Sequence, residues 1–96
     1  MKNKEQHLLF LEKFNFSFQL NVLKKKLKNK TVLLYGAGEF FAVINKHYDL
    51  SELNIIGIVD RKFKSTAEET FCGYKTYTPE EMFNIKADFV LLTTKF

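Results

Sequence analysis

The stretch Val32–Ile44, "VLLYGAGEFFAVI", runs an apolar segment straight into Gly-Ala-Gly and then into a second apolar segment. A run of strand formers, a turn of small residues and an amphipathic run is the order of a buried strand feeding a helix, which points to α/β architecture. Gly36 permits a tight turn out of the strand, and Gly38 lets backbone N–H groups approach a phosphate with no Cβ in the way. The helix that opens there carries partial positive charge at its N-terminus, so an anion is favoured. A dinucleotide loop reads Gly-x-Gly-x-x-Gly, whose last glycine lets helix and strand pack closely. Here Phe41 holds that place, and its ring must either push the helix off the sheet or point away from it.

The rest of the chain continues the pattern. "NIIGIVD", Asn54–Asp60, is a second buried strand closing on an acid, and a right-handed crossover places it parallel to the first. "RKFKSTAEETFCGY" is polar; "STAEET" fits either one helical turn capped by Ser65 or a loop over the ligand edge. Gly73 precedes "YKTY", a short third strand at the sheet edge. "TPEEMFNI" signals a helix start, with Thr78 as cap, Pro79 at the first helical position, Glu80 in the first turn and Glu81 placed to complete a capping box. "ADFVLLTT", Ala87–Thr94, is the fourth strand. The expected fold is therefore a parallel sheet of about four strands in the order 3-2-1-4, a three-layer half of a doubly wound fold.

Ahead of this lies an amphipathic helical preface, residues 1–29, leaving 30–96 as the nucleotide-binding unit. Leu8, Leu11 and Phe14 form the inner face of a first helix over Lys4–Phe14. Leu20, Leu23 and Leu27 do the same for a second over Ser17–Lys28, capped by Asn15 or Ser17. "FNFSF", Phe14–Phe18, reads as core contacts in preference to a docking patch. The lysines of "KKKLKNK" supply much of the net charge of +4; at a helix C-terminus they complement the dipole, which is favoured over nucleic-acid binding.

With 96 residues, 46% of them hydrophobic, the chain can bury one small core. No stretch approaches the ~18 apolar residues of a membrane span, and Glu12 and Lys13 break the N-terminal apolar tetrad too early for a signal peptide. The single Cys72 has no intramolecular disulfide partner, which suits a reducing, cytoplasmic setting. It has no nearby His to activate it, so it reads as a small hydrophobe. His7 and His47 read as exposed helical residues, not metal ligands.

The candidate ligand site lies where the strand order reverses, at the carboxyl ends of strands one and four. Asp60 follows Gly38 by twenty-two residues, the spacing at which an acid accepts hydrogen bonds from a ribose diol. Gly36, Ala37, Gly38, Glu39 and Phe40 form the loop and helix start, with the Glu39 carboxylate pointing outward because it would repel a diphosphate. Arg61 and Lys62 follow the acid, as phosphate partners or as surface charges. Thr93 and Thr94 end strand four with hydroxyls that can reach a phosphate or sugar, or are there for strand propensity alone. There is no Tyr-x-x-x-Lys pair and no P-loop Lys, so no catalytic residue is assigned.

"KTVLLYGAGEFFAVI", "NIIGIVDRKF", "GYKTYTPEEM" and "ADFVLLTT" together resemble the Rossmann-like nucleotide-binding domain of bacterial surface-polysaccharide proteins. These are nucleotide-sugar epimerases and dehydratases, and the N-terminal domain of sugar O- or N-acyltransferases. Gly36, Gly38, Asp60, Gly73, Pro79 with Glu80, and Asp88 fall on that pattern, over Lys30–Thr94. The resemblance implies that Gly36–Phe40 lie near phosphate and Asp60 near the nucleoside of a UDP-sugar. NAD(P) is the other ligand expected, in a regulatory sensing module, and a degenerate domain that only binds a protein partner is the third reading. The relatives' catalytic parts are absent from these residues, so the expectation is a binding domain, alone or cut from a longer enzyme. An unfinished half-fold would be completed by a second copy or by a C-terminal catalytic domain.

Overall fold

The computed structural model describes residues 2–64 and 70–94, with side chains from Glu5 onward. Helices α1 (Lys2–Lys13) and α2 (Phe16–Lys26) precede β1 (Thr31–Tyr35), α3 (Glu39–His47) and β2 (Asn54–Val59). Then come β3 (Thr70–Phe71), β4 (Tyr74–Tyr77), the single turn α4 (Pro79–Met82) and β5 (Phe89–Leu92). The sheet order is β3-β4-β2-β1-β5. β1 is parallel to β2 and β5, β2 is parallel to β4, and β3 is antiparallel to β4. The four strands expected from the sequence stand in the expected order, but the sheet has five strands and is mixed, which corrects the all-parallel reading.

The extra strand comes from a hairpin. Phe71 pairs with Tyr74 and Thr70 with Lys75 around Cys72-Gly73. Both turn residues have positive φ, 52° and 83°, the backbone of a two-residue turn whose twist matches the flanking strands. Cys72 is exposed there, at the tip of the hairpin. The helical turn or loop expected at "STAEET" falls on 65–69, outside the described residues, with Thr70 in β3.

The core lies between the sheet and the first three helices. Val32, Leu34 and Ile58 project from one sheet face into a cluster with Phe41, Val43 and Ile44 of α3 and Leu11, Leu20 and Leu27 of the preface. Leu33 and Val59, of opposite parity, are buried on the other face. The two preface helices therefore share one core with the sheet. Their inner faces follow the expected leucine spacing, with two exceptions to the sequence reading. Phe14 is exposed instead of inward, its ring 4.7 Å from that of Phe10 in α1, and within "FNFSF" Phe16 packs edge-on to Tyr48 while Phe18 faces solvent. Asn15 stands at the α2 N-cap position in left-handed conformation, and its side chain makes no capping bond. Lys24, Lys25 and Lys26 end α2, as its dipole prefers.

Two polar devices set the ends of elements. At α4 the capping box forms: Glu81 N–H donates to Thr78 Oγ1 at 3.2 Å and Thr78 N–H to Glu81 Oε1 at 2.8 Å. At the start of β1, Asp88 Oδ2 accepts from Thr31 N–H at 2.8 Å and from Thr31 Oγ1 at 3.1 Å, while Asp88 N–H donates back to Thr31. This clasp aligns β5 with β1. The bond from the Thr31 backbone, then that from its hydroxyl, holds the Asp88 carboxyl below the usual carboxylate range. A carboxylate whose pKa is lowered by folding stabilises the fold above its unfolded value, about 3.9, and loses that contribution as pH falls through the folded value. Asp88→Asn is therefore expected to flatten part of the acid limb of stability below about pH 4. Urea melts at stepped pH check this; an unchanged acid limb would remove the clasp from the account.

No described helix is long and apolar enough to cross a membrane.

Candidate functional site

The carboxyl ends of β1, β2 and β5 meet at a crevice of about 340 Å³ lined by Tyr35, Gly36, Asp60, Arg61 and Thr94. Gly36 leaves β1 with φ of 122°, and a Cβ built on it would lie 2.9 Å from the carbonyl carbon and oxygen of Thr93. Only glycine fits that conformation and that gap. Thr93 then locks the turn: its N–H donates to Tyr35 O at 2.8 Å, and its buried Oγ1 donates to Gly36 O at 2.7 Å. Its hydroxyl is thus a strut under the loop, whereas Thr94 is exposed and lines the crevice.

Asp60 is also built into the loop. Its Oδ2 accepts from Ala37 N–H at 2.7 Å, and its Oδ1 accepts from Lys62 N–H at 3.0 Å. Lys62 Nζ closes the ring by donating to Ala37 O, and sits 4.5 Å from the centre of the Phe71 ring. Gly36 N–H donates to Val59 O at 2.9 Å. The first two N–H groups of the glycine loop are thereby committed inside the protein. The N–H groups that remain for an anion are those at the start of α3, where Gly38 is the cap and contributes no side-chain bond. Around Gly38, an added Cβ would meet nothing within 4 Å.

The structure therefore divides the residues singled out from the sequence. Gly36, Asp60, Arg61 and Thr94 line one crevice, with Ala37 and Thr93 holding its loop. Arg61 lines the crevice while its neighbour Lys62 braces the loop. Glu39 is exposed in the first turn of α3, as read from the sequence. The Phe40 ring packs edge-on against His7 and Phe10 of α1 and lies away from the crevice. His7 is accordingly half-buried, not exposed as expected. Phe41 is 0% exposed and directed into the core, against Phe71 and Tyr74 at ring distances of 6.0 and 6.4 Å. Its ring fills space over β3 and β4, so it does not point away from the sheet.

Tyr35 was not singled out from the sequence, because a strand-final aromatic reads as strand propensity. Its position next to Gly36 was the available signal. A second hollow, of about 370 Å³, lies between α1 and α3 against Leu8, Ala42 and Val43, away from the strand ends. Among the described residues, no three His, Cys, Asp or Glu side chains are grouped to hold a metal ion. Comparison of the chain with protein-family models, with curated proteins and with solved structures found no match.

Proposed function

We propose that the chain is a Rossmann-like half-fold whose crevice binds a nucleotide or nucleotide sugar, in the service of sugar or surface-polysaccharide metabolism. The observation that carries this reading is the meeting of Gly36, Asp60, Arg61 and Thr94 at the point where strand order reverses, beside the N-terminus of α3. Neither the Phe40 nor the Phe41 ring lines that crevice, which favours a ligand-binding role over a purely structural one.

The loop geometry shapes the expected pose. Phosphate meets the α3 N-terminus at Gly38–Phe40, Arg61 supplies a cation, and Thr94 and the remaining acceptor capacity of Asp60 face the nucleoside or sugar. Gly38 is the residue that separates binding from folding, because its φ of −93° is open to any residue and its surroundings leave room for a methyl group.

Calorimetric titration with UDP-sugars, NAD and NADP tests the proposal. Binding of at least one in the micromolar-to-millimolar range is expected, with NAD(P) preference marking the regulatory-sensor alternative. Gly38→Ala is expected to weaken that binding about tenfold or more while costing under about 1 kcal/mol of stability. Silence of all three ligand classes at millimolar concentration would end the proposal, and full binding by Gly38→Ala would move the anion away from this loop.

A further inference from the structure

We infer that the exposed edge of β5 is a self-pairing surface, onto which a second copy of this chain adds its own β5 in antiparallel orientation to give one continuous sheet through both copies. The inference stands on the geometry of the edge and is independent of the ligand reading.

Strand β5 is the last in the sheet order and, among the described residues, pairs with β1 only. Its sequence is Phe-Val-Leu-Leu, with no proline, no charge and no bulge recorded in its pairing with β1. Those are the devices by which edge strands usually avoid pairing. Phe89, Val90 and Leu92 are 44%, 45% and 58% exposed, so the edge offers apolar side chains as well as main-chain groups.

The parity of the strand fixes which groups point outward. Thr93 N–H donates to Tyr35 O across the β1 side. Residues of that parity, Phe89 and Leu91, turn their main-chain groups toward β1, and Val90 and Leu92 turn theirs to the open edge. A two-fold axis perpendicular to the sheet keeps each sheet face on the same side in both copies, so facing residues must share parity. An axis through Leu91 meets both conditions. It sets Val90 opposite the partner's Leu92, twice, as hydrogen-bonded pairs with apolar side chains on the same face. It sets Leu91 opposite itself as a non-hydrogen-bonded pair. Asp88 then falls opposite the partner's Thr94, and no like charges meet along the described strand.

The self-complementary pattern is what selects a second copy over an unrelated partner. The apolar surface covered is on the order of a few hundred Å² per copy, below the roughly 800 Å² per partner of a standard interface. A reversible, concentration-dependent dimer follows.

Two measurements on the 96-residue chain decide it. In sedimentation velocity the wild-type protein is expected to move from monomer toward dimer between about ten micromolar and one millimolar. Val90→Lys is expected to weaken the association at least tenfold with an unchanged circular-dichroism spectrum. Independently, with Cys72→Ser as background, Leu91→Cys is expected to oxidise to a covalent dimer at least ten times faster than Val90→Cys. Non-hydrogen-bonded antiparallel partners lie about 4.5 Å apart at Cα, within disulfide reach, and Val90 faces Leu92 instead of itself. A chain that stays monomeric at one millimolar, or equal crosslinking at positions 90 and 91, overturns the inference. So does a dimer that survives Val90→Lys but is lost in Phe18→Ser, since that result would place the contact on the preface helices.

Discussion

Gly36→Ala is expected to destabilise the fold by about 3 kcal/mol, combining a left-handed backbone closed to alanine with a methyl group forced against a neighbouring strand. The φ of 122° alone disfavours any Cβ, and the methyl would sit 2.9 Å from the Thr93 carbonyl carbon and oxygen. Those atoms are backbone at the end of β5 and cannot rotate away. Thr93 is itself held by two bonds to β1 and its turn, so moving it breaks the buried Oγ1–Gly36 bond as well. For a domain of this size the loss corresponds to a fall in Tm of about 12–24 °C. Thermal unfolding followed by circular dichroism measures it. A shift of only a few degrees would mean that β5 is loosely held at its carboxyl end. Gly38→Ala is the internal contrast, since the two glycines of one motif differ in what surrounds them.

The second large effect concerns the residue that departs from the dinucleotide pattern. Phe41→Gly restores the third glycine, yet it is expected to abolish or nearly abolish stable folding. Phe41 is fully buried between α3 and the β3–β4 hairpin. Removing such a ring costs about 3–5 kcal/mol, and a glycine inside a helix adds about 1 kcal/mol. Single domains have only about 5–15 kcal/mol of net stability. Urea unfolding monitored by circular dichroism is the measurement, with Phe41→Leu as the milder change that keeps the chain folded for comparison. Phe41→Gly that folds normally and gains NAD affinity would show that the ring is a tolerated insertion into a conventional loop.

These two residues also show where sequence reasoning stops. The glycines were visible as a motif, but only the neighbours of each backbone atom separate a glycine that the fold requires from one it does not. Phe41 was visible as an exception, and its destination depended on the hairpin carrying Phe71 and Tyr74. That hairpin was itself hidden, because Cys72-Gly73 lacks the Asn-Gly or Asp-Gly signature and β3 is only two residues long. The capping box at Thr78–Glu81 was fully legible, since its partners lie three residues apart and need no tertiary contact. Phe14 was misplaced because helical spacing alone does not tell which side of a helix turn the next helix covers.

The candidate site divides in the same way. Its members were named from local chemistry: small residues after a strand, an acid after the next strand, a basic pair and two hydroxyls. Their division of labour was not. Asp60 and Lys62 brace the loop, Arg61 lines the crevice, Thr93 is a strut and Thr94 a lining residue, because strand register and backbone direction decide which side chain of each adjacent pair turns toward the turn and which toward the opening.

By itself, the sequence determined the alternation of strands and helices, the parallel order of four strands and the position of the glycine turn after β1, because periodicity, caps and crossover handedness act over short range or by general rule. The tertiary structure alone decided the fifth, antiparallel strand, the burial of Phe41, the commitment of the loop's first N–H groups and the open apolar edge of β5. The burial of Phe41 and the commitment of the N–H groups depend on contacts between segments far apart in the chain, the edge of β5 on what the sheet leaves uncovered, and the hairpin on a Cys72-Gly73 turn that lacks the usual signature.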